Sequence, residues 1–265
     1  MKLSISNIAW GTEQDEEMYQ FLQQSGFEGL EIAPTRIFPE RPYEHVSEAA
    51  AWARSLKNEY GLCISSMQSI WFGHTEKIFG SKEERYILKN YTKQAILFAE
   101  AIGCHNLVFG NPKNRDTDNV AENMPVAIDF FKEIGDYAKE HNTCVALEPN
   151  PTLYNTRFMN TTDQAVEMVY KSCSEGIKVN VDLGTILYNN EDLDYLTGIK
   201  EYINHIHISE PGLILIERRP ELHRQVIKLG QELDQVFVSV EMAKQPIDKV
   251  KAILQYIKSL ADDVA

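Results

Sequence analysis

Basic residues are scarce in this chain: Lys and Arg number 26 against 39 Asp and Glu, for a formal charge of −13. Attraction to a phosphate backbone, the usual source of nucleic-acid affinity, has no global support, so no nucleic-acid partner is expected. No segment reaches the roughly 18 consecutive apolar residues of a membrane span. The opening MKLSISNIAW also lacks an apolar core followed by a small-residue cleavage site. No membrane partner is expected, and the expected location is cytoplasmic. The four cysteines, Cys63, Cys104, Cys144 and Cys173, form no CxxC pair. The first three lie at or beside apolar, strand-like runs, the pattern of reduced, packed thiols. Linkers and low-complexity runs are missing as well, which argues for one domain over 1–265.

What is present is a regular alternation of short apolar runs with helical periodicity. Strands are expected at Leu3–Ile8, Gly29–Ala33, 62–67 (LCISSM), 105–110 (HNLVFG), 144–148 (CVALE), 177–182 (IKVNVD), Ile203–Ile208 and Val236–Val240. Helices are expected at Asp15–Gln24, from near Ser47 to Gly61, at Glu83–Ala101, Met124–His141, Thr162–Lys171, Leu193–Ile199, Glu221–Leu233 and Ile247–Leu260. Each crossover helix returns the chain to the same end of the sheet, so the strands should be parallel. A chain of 265 residues matches the roughly 250 of a (β/α)8 barrel. The expected fold class is therefore α/β, a single (β/α)8 barrel.

Four of the later strands end in side chains that bind metals. CVALEPN delivers Glu148 ahead of Pro149, which cannot continue a ladder; IKVNVDLG delivers Asp182, INHIHISEP delivers His207, and VFVSVEM delivers Glu241. Each alone has a plain alternative, since an acid at a strand end is often a helix N-cap or loop anchor. In a barrel, however, strands five to eight are neighbours, and their C-terminal ends form the face where reactive groups sit. Three carboxylates and one imidazole converging there suit a divalent cation with positions left open for substrate.

The ordered set in LEPNP, NVDLG, HIHIS and SVEM resembles the xylose isomerase-like barrel family of sugar and sugar phosphate isomerases and epimerases. The phrases GFEGLEI and AIGCHNLVFG look like that family too. The resemblance implies one divalent metal ion held by Glu148, Asp182, His207 and Glu241, with Mn²⁺ favoured over Zn²⁺, Co²⁺ or Mg²⁺. It also implies that Glu148 and Glu241 serve as acid and base on a small sugar or sugar phosphate. Two opposed bases give epimerisation; proton return to the neighbouring carbon, or loss of hydroxide, gives isomerisation or dehydration. One departure stands out: many relatives have DxxH at strand six, and here Thr185 occupies the histidine position.

Other loop residues admit two readings each. Arg157 is an anion clamp or a surface ion pair. Asn150 and Asn160 bind sugar hydroxyls or satisfy loop backbone. Trp10, Trp71 and Phe72 wall a sugar pocket or bury themselves in the core. His74 is a substrate contact or a loop residue, and Glu210 a substrate contact, an orienter of a ligand, or a loop anchor. His205, two residues deeper than His207, suits a satisfied core histidine, and His223 suits a helix surface. Two rival functions remain. An apurinic endonuclease of this fold would use several zinc ions and more histidines than the seven present. A sugar-binding barrel without turnover would explain the missing histidine. Assembly into a homo-oligomer is left open.

Overall fold

Successive side chains on a strand point to opposite faces, and here one parity is apolar while the other is small or polar. The outward residues Leu3, Ile5, Leu30, Ile32, Val179, Val181, Ile206, Ile208, Val238 and Val240 are buried beneath the helices. The inward set includes Ser4, Ser65, Ser66, Ser239, Glu31, Asn180, His205 and His207, all buried. Their polar atoms pair across the barrel, as in Ser4 Oγ with Ser65 Oγ at 2.5 Å and Asn106 Nδ2 donating to Ser66 Oγ at 2.9 Å. Small inward side chains leave room for the larger polar ones above them.

The structure, a computed structural model, describes residues 2–233 and 236–264. Strands β1 (Lys2–Ser6), β2 (Gly29–Ile32), β3 (Cys63–Met67), β4 (Leu107–Phe109), β5 (Val145–Leu147), β6 (Ile177–Asp182), β7 (Ile203–Ile208) and β8 (Phe237–Val240) pair in chain order. All pairs are parallel, and β1 also pairs with β8, so the sheet closes into an eight-stranded barrel. The helices are α1 (Asp15–Gln24), α2 (Pro34–Ile37), α3 (Val46–Tyr60), α4 (Lys82–Ala101), α5 (Val120–Glu140), α6 (Thr162–Ser172), α7 (Leu183–Asn189), α8 (Tyr195–Gly198), α9 (Pro220–Glu232) and α10 (Ile247–Asp263). This is the (β/α)8 barrel expected from the alternation. Among the described residues no helix is long and apolar enough to cross a membrane, and all four cysteines are free.

Three local differences have physical causes. Strand β1 stops at Ser6 rather than Ile8, because the Ser6 hydroxyl accepts from Ile8 N and turns 7–9 into a short 3₁₀ segment. Helix α5 begins at Val120, ahead of the expected Met124. Asn119 caps it by accepting from Glu122 N, and the polar stretch that looked like loop is its first turn. Helix α7, absent from the sequence reading, follows β6 without a loop because Asp182 is its N-cap and accepts from Thr185 N at 2.8 Å.

Register sets the height of the residues at the barrel mouth. Asp182 lies opposite His207, and His207 opposite Ser239, which puts Glu241 two residues above that level on β8. Glu148 follows Leu147, whose partner is Val179 on β6.

Candidate metal centre

Glu148, Asp182, His207 and Glu241 come together, each offering a ligand atom within 4.8 Å of the others. His207 is the hub. Its Nδ1 lies 2.9 Å from Glu148 Oε1 and 3.2 Å from Glu241 Oε2. Asp182 Oδ2 accepts from Thr185 N and Thr185 Oγ1, both at 2.8 Å, and Oδ1 accepts from Ser209 Oγ. The plain reading of Asp182 as a helix cap applies, and the same carboxylate also lies in the cluster of candidate ligands. Thr185, at the position where the expected pattern has histidine, also reaches Pro149 O at 2.8 Å and ties the end of β6 to the end of β5.

Glu148 is held from two sides. Asn180 Nδ2 donates to Oε1 at 2.8 Å, and Asn150 Nδ2 to Oε2 at 3.2 Å. Space for it comes from Gly110 at the end of β4, where an added Cβ would stand 2.8 Å from Glu148 Oε2.

Packing three acids around one imidazole shifts their protonation. Burial pushes the Glu241 carboxyl up to about 7, with the charges of Glu148 and Glu31 adding to the rise and His207 opposing it. Burial also raises Asp182, again with help from Glu148. Burial works to lower His207, but Glu31, Glu241 and Glu148 together carry it well above the usual histidine value. Without a cation the fold forces carboxylates against one another. A hard divalent ion fits this donor set, three carboxylates and one nitrogen, and would relieve that repulsion.

Sequence reading missed Glu31. It is fully buried inside β2, and its Oε2 accepts from His207 Nε2 at 2.8 Å while standing 3.0 Å from His205 Nε2. Burial acts to raise Glu31, but the two imidazoles outweigh it and hold the carboxylate below its ordinary range. Glu31, His205 and His207 form a second group able to hold a cation by distance alone. That group is sealed beneath the barrel mouth, and its Nε2 contact is the one that leaves His207 Nδ1 facing the outer acids. The open cluster, which faces the cavity, is the candidate metal centre, and Glu31 is placed where it can orient the histidine of that cluster. The signal was available in GLEI: an acid of inward parity, level with no loop.

A cavity of about 240 Å³ opens above the cluster. Its walls include Glu148, Asp182, Glu241, Asn150, Tyr154 and Phe72, and the Phe72 ring is 68% exposed at the rim. The other candidates lie elsewhere. Trp71 is buried against Phe109 and Phe130, its Nε1 donating to Thr92 Oγ1 at 2.8 Å. Trp10 is buried too and donates to Asp15 Oδ1 at 2.8 Å. His74 packs on Tyr91, with Nδ1 2.9 Å from Glu76 Oε2. Arg157, half-exposed, pairs with Asp116 (Nη2 to Oδ2, 2.5 Å) and with Asp118. Glu210 is buried as a loop anchor, accepting from Glu217 N at 3.1 Å and pairing with Arg219 at 3.2 Å. Asn160 donates to Asn150 O and Thr156 O, both at 2.8 Å, so it serves loop backbone. His205 is buried as expected, but it is not the satisfied histidine expected: its Nε2 stands 3.0 Å from Glu31 Oε2 without a hydrogen bond. His223 is not on a helix surface: it is fully buried between α9 and α10, with Nδ1 3.0 Å from the Tyr256 hydroxyl.

This fold is that of a known class. The family model described as xylose isomerase-like TIM barrel matches residues 19–259, and the chain belongs to that family. Among solved structures, it is similar to 3-keto-D-glucoside 4-epimerase, YcjR, from E. coli (TM-score 0.77, 17% identity, 99% of each chain covered). It is equally similar in shape to a D-psicose 3-epimerase (TM-score 0.77, 13% identity, 100% of this chain and 99% of the other). A family 2 AP endonuclease from Brucella melitensis also aligns (TM-score 0.71, 17% identity, 95% of this chain and 96% of the other). Identities this low establish the shared fold. No curated protein sequence matches the chain.

Proposed function

We propose that this chain is a metal-dependent isomerase or epimerase of a small sugar or keto-polyol, moving a proton next to a carbonyl through an enediolate. The observation that carries this reading is the convergence of Glu148, Asp182, His207 and Glu241 at the floor of an open cavity. A divalent ion held there, Mn²⁺ above Zn²⁺, Co²⁺ or Mg²⁺, would supply the Lewis acidity that polarises the carbonyl and acidifies the neighbouring C–H.

The protein's own groups account for the proton. Glu148 accepts hydrogen bonds on both oxygens, which fixes its orientation toward the cavity. Glu241 arrives from β8, with β6 and β7 between it and β5, so the two glutamates approach the cavity from different strands. One glutamate removes the proton and the other returns it. Phe72 offers an apolar ring at the rim to the C–H face of a sugar. The cavity lies below the roughly 300–1,000 Å³ of drug-sized pockets and suits a monosaccharide. Support also comes from the neighbours in shape, two of which are named as sugar epimerases.

The test is solvent deuterium exchange. Mn²⁺-loaded protein is incubated in D₂O with a panel of ketoses, aldoses, keto-glycosides and sugar phosphates, and the carbon next to the carbonyl is followed by NMR. Exchange on at least one class is expected, and it should vanish in Glu148→Gln. A metal-loaded protein that exchanges nothing in the panel contradicts the proposal and turns attention to ligand binding without turnover.

A further inference from the structure

Arg115, in the loop between β4 and α5, has no exposed surface. Its guanidinium sits 6.0 Å from the centre of the Phe109 ring. Nη2 donates to Asn150 Oδ1 at 2.9 Å and to Met159 O at 3.3 Å, while Nε and Nη1 have no partner. Arg115 therefore meets one side-chain acceptor, and that acceptor is a neutral amide. A buried cation in this state is costly unless paired with a charge. An aspartate at position 150 would supply one; the chain has asparagine.

Donor chemistry gives the asparagine a purpose. A guanidinium has five N–H groups and no acceptor, so the amide beside it must turn Oδ1 toward Arg115 and Nδ2 away. Nδ2 then faces Glu148 Oε2 at 3.2 Å. Were the amide reversed, Oδ1 would oppose a carboxylate oxygen. We infer that Arg115 is a positioning residue for Glu148, acting through Asn150: it fixes the amide so that Glu148 receives a donor and keeps its orientation in the cavity. The inference rests on the proposed proton transfer at Glu148 and adds to it a residue that touches neither the cavity nor the metal cluster.

Two variants separate positioning from mere packing. Asn150→Asp gives Arg115 a charged partner but removes the donor to Glu148. The new carboxylate faces Arg115 but also stands against Glu148 Oε2, so in metal-free protein Arg115→Met/Asn150→Asp, which keeps only the repulsion, should have a lower Tm than Asn150→Asp. In the Mn²⁺-loaded protein, kcat for α-proton exchange should fall about tenfold to a hundredfold, the worth of a hydrogen bond to a charged group. KM is read in Arg115→Met, which leaves the cavity wall in place, and should stay within about threefold there; Asn150 itself lines the cavity. Arg115→Met, which frees the amide to rotate, should lower kcat in the same direction without loss of bound metal. Two results overturn the inference: Arg115→Met exchange within twofold of wild type, or a fall in Arg115→Met that comes only with loss of bound metal or of the fold. Wild-type protein that exchanges no sugar overturns the functional reading itself, and this inference with it.

Discussion

Glu31 offers the sharpest perturbation, because it should change metal binding without being a ligand. Its carboxylate accepts from His207 Nε2 at 2.8 Å and lies 3.0 Å from His205 Nε2, with all three side chains almost completely buried. Gln68 Nε2 donates to its other oxygen at 3.1 Å, so the group is fixed in place. With its charge in place, Glu31 raises the electron density at His207 Nδ1 and holds the ring with Nδ1 toward Glu148 and Glu241. In Glu31→Gln one acceptor survives and the charge does not. Removing such an outer carboxylate weakens metal binding by about 10–100-fold, or roughly 1.4–2.7 kcal/mol. Glu31→Leu removes the acceptor as well and should reach the upper end of that range. Mn²⁺ titration by isothermal calorimetry, alongside far-UV circular dichroism to show that the barrel is intact, reads the effect. A folded Glu31→Gln or Glu31→Leu protein that binds Mn²⁺ within twofold of wild type refutes the orienting role.

Stability of the metal-free protein should depend on pH with a definite sign. Glu241 has a folded pKa near 7, above its ordinary 4.5, so the unfolded chain releases this proton first and stability falls as pH rises between those values. His207 is raised as well, and its contribution is lost as pH climbs through its folded pKa. Differential scanning calorimetry should show the metal-free Tm dropping from pH 5 to pH 8, and saturating Mn²⁺ should flatten or reverse that slope. Trp71→Ala should cost about 3–5 kcal/mol in urea unfolding, as expected for an aromatic buried in the core; a rise in KM without loss of stability would instead place it at the substrate. Phe72→Ala should raise KM about twofold to tenfold with little change in kcat, the range of an aromatic contact. Arg157→Ala should leave Tm and turnover at wild-type values, because its charge is spent on Asp116 and Asp118 at the surface.

The barrel was legible because its code is local. Helix-period and strand-period runs alternate, glycines such as Gly61 and Gly103 end α3 and α4 with φ of +73° and +69°, and a parallel sheet follows from the order of elements. The four strand-end residues were legible because parity and register act together: once β5 to β8 are neighbours, side chains at their tips converge. What sequence could not show was long-range pairing. Glu31 meets His207 across 176 residues, and although its parity in GLEI turns it inward, nothing local names its partner. Arg157 looked available as an anion clamp until Asp116, 41 residues away, was found beside it. The two tryptophans were ambiguous because a strand-end aromatic can turn into the mouth or under the adjoining helix, and helix packing decides between them. Asp182 hid α7, since the same carboxylate that suggested a ligand also caps the next helix.

The central claim is that four strand ends make one metal centre, and metal content tests it most directly. Protein purified without a histidine tag should be analysed by elemental mass spectrometry beside Glu148→Gln and Glu241→Gln, before and after incubation with Mn²⁺, Co²⁺ or Zn²⁺ and removal of free ion. Roughly one divalent ion per chain, reduced in both variants, is the predicted result. No retained ion under any of these conditions, or retention that both variants leave unchanged, contradicts the assignment.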